Sequence, residues 1–135
     1  VLVDEYSRYP CVETLSNIQT TTVCKRLNKI FSLFGFPDVV KTDNGPPFNG
    51  QEFTEFLVSR GIEHAKVTPY WPQANGTVER FIKTLKTFKQ TCLVEKKRWQ
   101  EELDDFLLSY RATPHCTTGF PPSSMLLKSS FKTFV

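Results

Sequence analysis

The stretch from Thr20 to Val40 constrains the fold more than any other part of the chain. Apolar residues recur at Val23, Leu27, Ile30, Phe31 and Phe34, steps of three and four that put them on one face of a helix over 20–34. Gly35 ends that run and Pro37 forbids its resumption. The β-branched pair Val39-Val40 then starts a brief buried strand, which stops at Asp43 because Asn44-Gly45-Pro46-Pro47 forces a turn. The pattern repeats downstream. Phe53, Phe56 and Leu57 mark a short amphipathic helix closed by Gly61, and Ile62 to Val67 reads as a further strand. A one-faced helix must bury its stripe, and alternation with short strands supplies the sheet to bury it against, so the chain is expected to be an α/β layered domain.

The rest of the sequence fits that frame. Val1 to Val3 and Tyr9 to Leu15 read as two short strands joined by a polar turn. The longest helix is expected from about Gly76 to Lys97, with Val78, Phe81, Ile82, Leu85, Phe88 and Cys92 on its buried side. A helix from about Trp99 carries Leu103, Phe106, Leu107 and Tyr110, and a short one runs through Met125 and Leu127. The 135 residues are one domain's worth of sequence, and no repeat, low-complexity tract or linker divides them. No apolar run approaches the roughly 20 residues of a membrane span, so a membrane partner is not expected. The chain opens on Val1-Leu2-Val3-Asp4 without an initiator Met or a signal-peptide pattern, and reads as the interior of something longer.

A net charge of +3 permits a nucleic-acid partner without requiring one. Bases concentrate at Lys83, Lys86 and Lys89 and again at Lys96-Lys97-Arg98, the latter read as a solvated helix end or a nuclear signal. Acids cluster at Glu101, Glu102, Asp104 and Asp105. Cys11, Cys24, Cys92 and Cys116 form no CxxC pair and, with His64 and His115, no zinc spacing; they are expected to be reduced and mostly buried, as inside a cell.

Two carboxylates stand out by position. Asp43 falls at the carboxyl end of a strand, the edge where α/β folds place ligands. Glu79 falls in the first turn of the long helix, with 35 residues between the two. Such a pair suits divalent cations, which take oxygen ligands. Each residue also has an ordinary reading: an Asp before Asn-Gly forms turns, and a first-turn Glu complements the helix dipole. At about 100° per residue, Lys83, Lys86 and Gln90 lie within about 40° of Glu79 on the helix surface. That face can neutralise phosphates beside a metal-binding carboxylate, or it can be a solvated face with a Glu79–Lys83 pair.

The wording around both acids resembles the catalytic core of retroviral and retrotransposon integrases. The residues that carry the likeness are Thr42-Asp43-Asn44-Gly45 with Phe48, and Pro69-Tyr70-Trp71-Pro72-Gln73-Ala74-Asn75-Gly76-Thr77-Val78-Glu79-Arg80. The interval matches that family's D,D(35)E signature. Val1 to Tyr9 and Phe31 to Pro37 resemble the family's second strand and a helix-to-strand junction. Tyr110-Arg111-Ala112-Thr113-Pro114-His115 with Thr117 to Pro122 looks like the tail of Ty3/Gypsy-type integrases.

The resemblance implies an RNase H-like fold, a mixed sheet flanked by helices, here with the first strand missing. It implies Mg²⁺ or Mn²⁺ on Asp43 and Glu79, the second and third of three metal-binding acids. The first would lie on the absent strand, and Asp4 matches a turn position instead. Tyr70, Gln73 and Asn75 would contact nucleic acid, unless they serve turn chemistry, and Lys83 and Lys86 would contact DNA. Trp71 is expected to pack. The implied activity is DNA integration by two-metal phosphoryl transfer, in the nucleus, on element ends and target DNA, by a homo-oligomer. Two rivals remain at this point: an inactive integrase-derived binding module, and a plain RNase H-type nuclease.

Overall fold

A computed structural model describes residues 1–67 and 76–127. The elements in chain order are β1 (Leu2–Val3), β2 (Pro10–Cys11), α1 (Thr20–Phe34), β3 (Val39–Thr42), α2 (Gln51–Val58), β4 (Glu63–Lys66), α3 (Gly76–Val94), α4 (Trp99–Ala112) and α5 (Pro122–Leu127). They fall into two compact units, one of Glu13–Gly76 and one of Val1–Val12 with Thr77–Val135.

In the unit Glu13–Gly76, β3 and β4 pair in parallel, with Val40 opposite His64 and Thr42 opposite Lys66. Parallel neighbours need a crossover, and α2 provides it. The core joins Val23 and Phe31 of α1, Val40 of β3, Phe53 and Leu57 of α2, and Ile62. Leu15, Leu27, Phe48 and Phe56 pack around it.

Two details differ from the sequence reading. Phe34 is exposed, because the α1 stripe is used only as far as Phe31 and the helix then runs out past the core. Val39 is exposed too, since β3 alternates, burying Val40 and Thr42 rather than a continuous apolar run. Gly35 takes φ +88, a backbone region that side chains disfavour, and its N–H closes α1 on the Phe31 carbonyl at 2.7 Å.

In the other unit, β1 and β2 form an antiparallel pair, Leu2 opposite Cys11 and Val3 opposite Pro10. The second strand is shorter than the expected 9–15 because β1 offers only two residues to pair with. Asp4 builds the connecting turn: its carboxylate accepts the Ser7 N–H at 2.9 Å and the Ser7 hydroxyl at 2.6 Å. The core is Val3, Phe81 and Leu85 of α3, and Leu103 and Leu107 of α4. Rings reinforce it, with Phe88 stacked on Phe106 at 4.2 Å and Phe81 edge-on to Tyr110 at 5.2 Å. Arg111 clamps β2 to α4, donating from Nε and Nη2 to the Pro10 carbonyl at 3.1 and 2.7 Å.

α3 stops at Val94, so Lys96-Lys97-Arg98 follows the helix instead of ending it. Of the four cysteines only Cys92 is buried, and Cys116 is exposed. The expectation of mostly buried thiols therefore fails, because Cys11 sits on a two-stranded edge and Cys116 in a surface turn. Among the described residues no helix is long and apolar enough to cross a membrane.

Candidate active site

Strand alternation decides where Asp43 stands. Val40 and Thr42 point inward on β3, so the next residue turns outward, and Asp43 is exposed just past the strand's carboxyl end. Its Oδ1 accepts the Gly45 N–H at 2.9 Å, which fixes the carboxylate in a tight turn. A Cβ on Gly45 would lie 3.2 Å from that oxygen, so glycine keeps the space the carboxylate occupies. Beyond Gly45 the chain coils directly into α2, Phe48 N–H meeting the Gly45 carbonyl at 2.9 Å. Among the described residues no cation pairs with Asp43, which leaves Oδ2 open.

Behind Asp43 lies a polar chain. The hydroxyl of Thr42, a residue 8% exposed, donates to the Asp43 carbonyl at 3.0 Å and lies 2.7 Å from His64 Nε2. His64 Nδ1 lies 2.9 Å from the Thr54 hydroxyl on α2. Because Thr42 spends its proton on the Asp43 carbonyl, Nε2 of a neutral imidazole donates to Thr42 and Nδ1 accepts from Thr54. Burial, aided by Lys66, pushes the His64 pKa below 6.5 and favours that neutral form. His64 ties the end of β3 to α2, and it is the residue that sequence reasoning missed. The sequence carries no signal for it, since β4 does not alternate and leaves both His64 and Ala65 half-buried.

Glu79 lies in the first turn of α3. The buried stripe Phe81, Leu85 and Cys92 fixes the rotation of the helix, and Glu79, Arg80, Lys83, Lys86 and Gln90 are exposed on the remainder. The Glu79–Lys83 pair weighed above is not formed, and among the described residues Glu79 has no cation partner. Lys89 belongs to a different surface, its Nζ lying 4.1 Å from the centre of the Trp99 ring. The start of α3 is held from β1–β2, where the Arg8 guanidinium donates to the Thr77 hydroxyl.

Asp4 is consumed by its turn, as the sequence implied. Tyr70, Gln73 and Asn75, with Trp71, lie outside the described residues. Glu101, Asp104 and Asp105 are exposed on α4. Among the described residues no three His, Cys, Asp or Glu side chains are gathered as a metal cluster.

Residues 1–72 match the family model described as the integrase core domain. The chain is 37% identical over 115 residues to "Uncharacterized protein K02A2.6" of Caenorhabditis elegans, covering 85% of this chain and 9% of that protein. It is 34% identical over 103 residues to the Pol-related polyprotein of the mouse intracisternal A-particle MIA14, covering 76% and 11%. The chain thus spans about a tenth of the curated relatives it matches.

Among solved structures, it is similar to a chain of the simian T-cell lymphotropic virus intasome in complex with the PP2A regulatory subunit B56 gamma. The TM-score is 0.79 at 23% identity, over 91% of this chain and 45% of that one. It is also similar to the HTLV-2 integrase catalytic core domain in complex with magnesium, in its trimeric form. Here the TM-score is 0.73 at 24% identity, over 92% and 80%. At these identities the likeness establishes the fold, that of RNase H-like integrase catalytic cores.

Proposed function

The chain belongs to the integrase core domain family, and from that premise we propose that it is catalytic-core sequence for DNA integration, of the Ty3/Gypsy type and the D,D(35)E pattern. The observation that carries the reading is the state of Asp43: exposed at a strand's carboxyl end, fixed by one backbone N–H through Oδ1, and without a cation partner among the described residues. A carboxylate that serves the described residues through one turn bond has an oxygen to spare. Among the described residues Glu79 likewise has no cation partner. Both are hard oxygen donors of the kind that Mg²⁺ or Mn²⁺ takes, so the residues present fit such an ion.

When bound, the ions would supply charge stabilisation to the attacking and leaving oxygens of a phosphodiester displacement. The chain's own residues do the rest. Asp43 is held in register by Gly45 and, through its backbone, by the Thr42–His64–Thr54 chain. Lys83 and Lys86, exposed beyond Glu79, neutralise DNA phosphates, and Tyr70, Gln73 and Asn75 contact nucleic acid. The reactions are trimming of the element's DNA ends by water and joining of the new 3′-hydroxyl to target DNA. The reading also includes homo-oligomers, a nuclear site of action, and a third acid supplied by the longer protein.

The test is strand transfer with Mg²⁺ by the complete protein that contains this chain. Asp43→Asn and Glu79→Gln should each lower the rate at least about 100-fold, the scale of several kcal/mol of metal-borne stabilisation. Full activity in either variant would overturn the assignment. DNA cleavage without joining would turn it into a plain nuclease.

A further inference from the structure

The tail motif Tyr110 to Pro122, which the carboxylate chemistry does not use, builds a second cluster in the Glu79 unit. His115 and Phe120 close a turn, the His115 N–H donating to the Phe120 carbonyl at 3.0 Å and the Gly119 N–H to the His115 carbonyl at 2.7 Å. Inside that turn the Thr117 N–H donates to His115 Nδ1 at 3.0 Å, so the neutral ring carries its proton on Nε2. Arg80, the residue after Glu79, donates from Nη1 to the Thr117 hydroxyl at 3.3 Å.

Arg8 completes the group from the β1–β2 turn, where it takes φ +64, a left-handed conformation uncommon for a residue with a side chain. Its guanidinium reaches Thr77, and its Nε is buried with no hydrogen-bond partner among the described residues. Arg8 thus meets α3 at Thr77, one turn before Arg80, and both arginines lower the His115 pKa, after the larger effect of burial, and counter the raised pKa of Tyr110. The remaining titratable group there is the Cys116 thiol. Among the described residues no carboxylate pairs with Arg8 or Arg80.

Two guanidinium groups, an imidazole N–H and a hydroxyl thus gather with donors and no anion. Like charges repel, and the buried Arg8 Nε is a donor without an acceptor among the described residues, so an anion between the two guanidinium groups would relieve both costs. Resting on the DNA reading above, we propose that Arg8, Arg80, His115 and Thr117 form a subsite for one backbone phosphodiester of DNA. Arginine forks match the oxygens of a phosphate, and the hydroxyl and imidazole N–H suit the same oxygens. A polyanion fits better than a small free anion because the cations continue along the same helix, Lys83 following Arg80 within one turn.

The experiment measures binding of the complete protein that contains this chain to a short DNA duplex by fluorescence anisotropy at several salt concentrations. Arg80→Gln should weaken binding equally for unrelated sequences and reduce the slope of log affinity against log salt by about 1, one phosphate contact. Lys29→Gln, which removes a cation already paired with Glu13 at 3.9 Å, should leave the slope unchanged. A second readout does not depend on any variant: DNA binding should raise the His115 pKa, followed by NMR, because the phosphate offsets Arg8 and Arg80.

If Lys83→Gln with Lys86→Gln abolishes binding while Arg80→Gln and the His115 pKa do not respond, the subsite is wrong and the DNA reading stands. If inorganic phosphate shifts His115 and duplex DNA does not, the site takes a free anion and the proposal falls. If the unaltered complete protein binds no DNA, both readings fall together.

Discussion

The two units close a helix with the same turn and with different residues. After α2, the Ile62 N–H reaches the Leu57 carbonyl at 3.0 Å and the Gly61 N–H reaches Val58 at 2.9 Å, with Gly61 at φ +73. After α3, the Lys97 N–H reaches Cys92 at 2.8 Å and the Lys96 N–H reaches Leu93 at 3.2 Å, with Lys96 at φ +58. Both are Schellman closures, in which the residue after the helix turns left-handed. Only glycine does so freely.

The contrast extends further: in the Asp43 unit the described residues at positive φ are Gly35 and Gly61, while the Glu79 unit adds Arg8 and Lys96 to Gly119. In the first unit, local preference and fold agree. In the second they conflict at two cations, and such conflicts gather where something other than folding selects the residue.

The largest test of that comparison lies at His64, where the Asp43 unit depends on polar groups satisfying one another. His64→Phe keeps a ring against Phe53, now 5.1 Å away, but removes the donor to the Thr42 hydroxyl and the acceptor of the Thr54 hydroxyl. Chemical denaturation should show a loss of about 1–3 kcal/mol, the scale of two part-buried hydrogen bonds. The pH dependence has a definite sign. A histidine whose folded pKa is depressed binds fewer protons folded than unfolded, so stability is full above about pH 6.5 and falls as pH drops through the folded pKa. His64→Phe should remove its share of that acid sensitivity and leave the share due to His115, which is depressed in the same direction. Unchanged acid sensitivity in the variant would mean that Thr42–His64–Thr54 does not hold β3.

How legible this was in the sequence follows from the same contrast. α1 was readable to the residue because its stripe and its terminal Gly35 agree. The end of α3 was overrun to Lys97, because its closure uses Lys96 and a lysine announces no stop. The candidate acids were visible through their neighbours, Asn44-Gly45 and the opening of α3. His64 was not, since a single histidine on a short strand acquires meaning only when Thr42 and Thr54 arrive from separate elements. Nor was the Arg8–Arg80–His115 group, whose members are far apart in the chain and joined by a turn that Asp4 builds.

The next effect in size is a reciprocal exchange at the two helix ends. Gly61→Ala places a side chain in the left-handed region and should cost about 1–2 kcal/mol, although nothing lies near the new Cβ. Lys96→Gly should do the reverse, gaining up to about 1 kcal/mol, reduced by the greater freedom of glycine in the unfolded chain. Thermal melts of the two variants decide the matter. Equal and small effects would erase the distinction between the units, whereas a cost at Gly61 with a gain at Lys96 would show that the Glu79 unit is held below its attainable stability at that position.

The smallest expected effects are at the two acids themselves. Asp43→Asn retains an Oδ1 that accepts the Gly45 N–H, so its stability should stay within about 0.5 kcal/mol of the original. Glu79→Gln loses only the attraction of a first-turn carboxylate for the helix N-terminus, about 0.3–1 kcal/mol at low salt and less as salt is added. Denaturation at two ionic strengths separates these outcomes. A salt-insensitive loss well above 1 kcal/mol in Glu79→Gln would show that the carboxylate serves the packing of α3, and the claim that it is free for a metal would weaken. Near-neutral results at both positions carry the opposite meaning. The fold would then have little use for either charge, and a loss of strand transfer in the same variants would have to be read as a loss of chemistry rather than of structure.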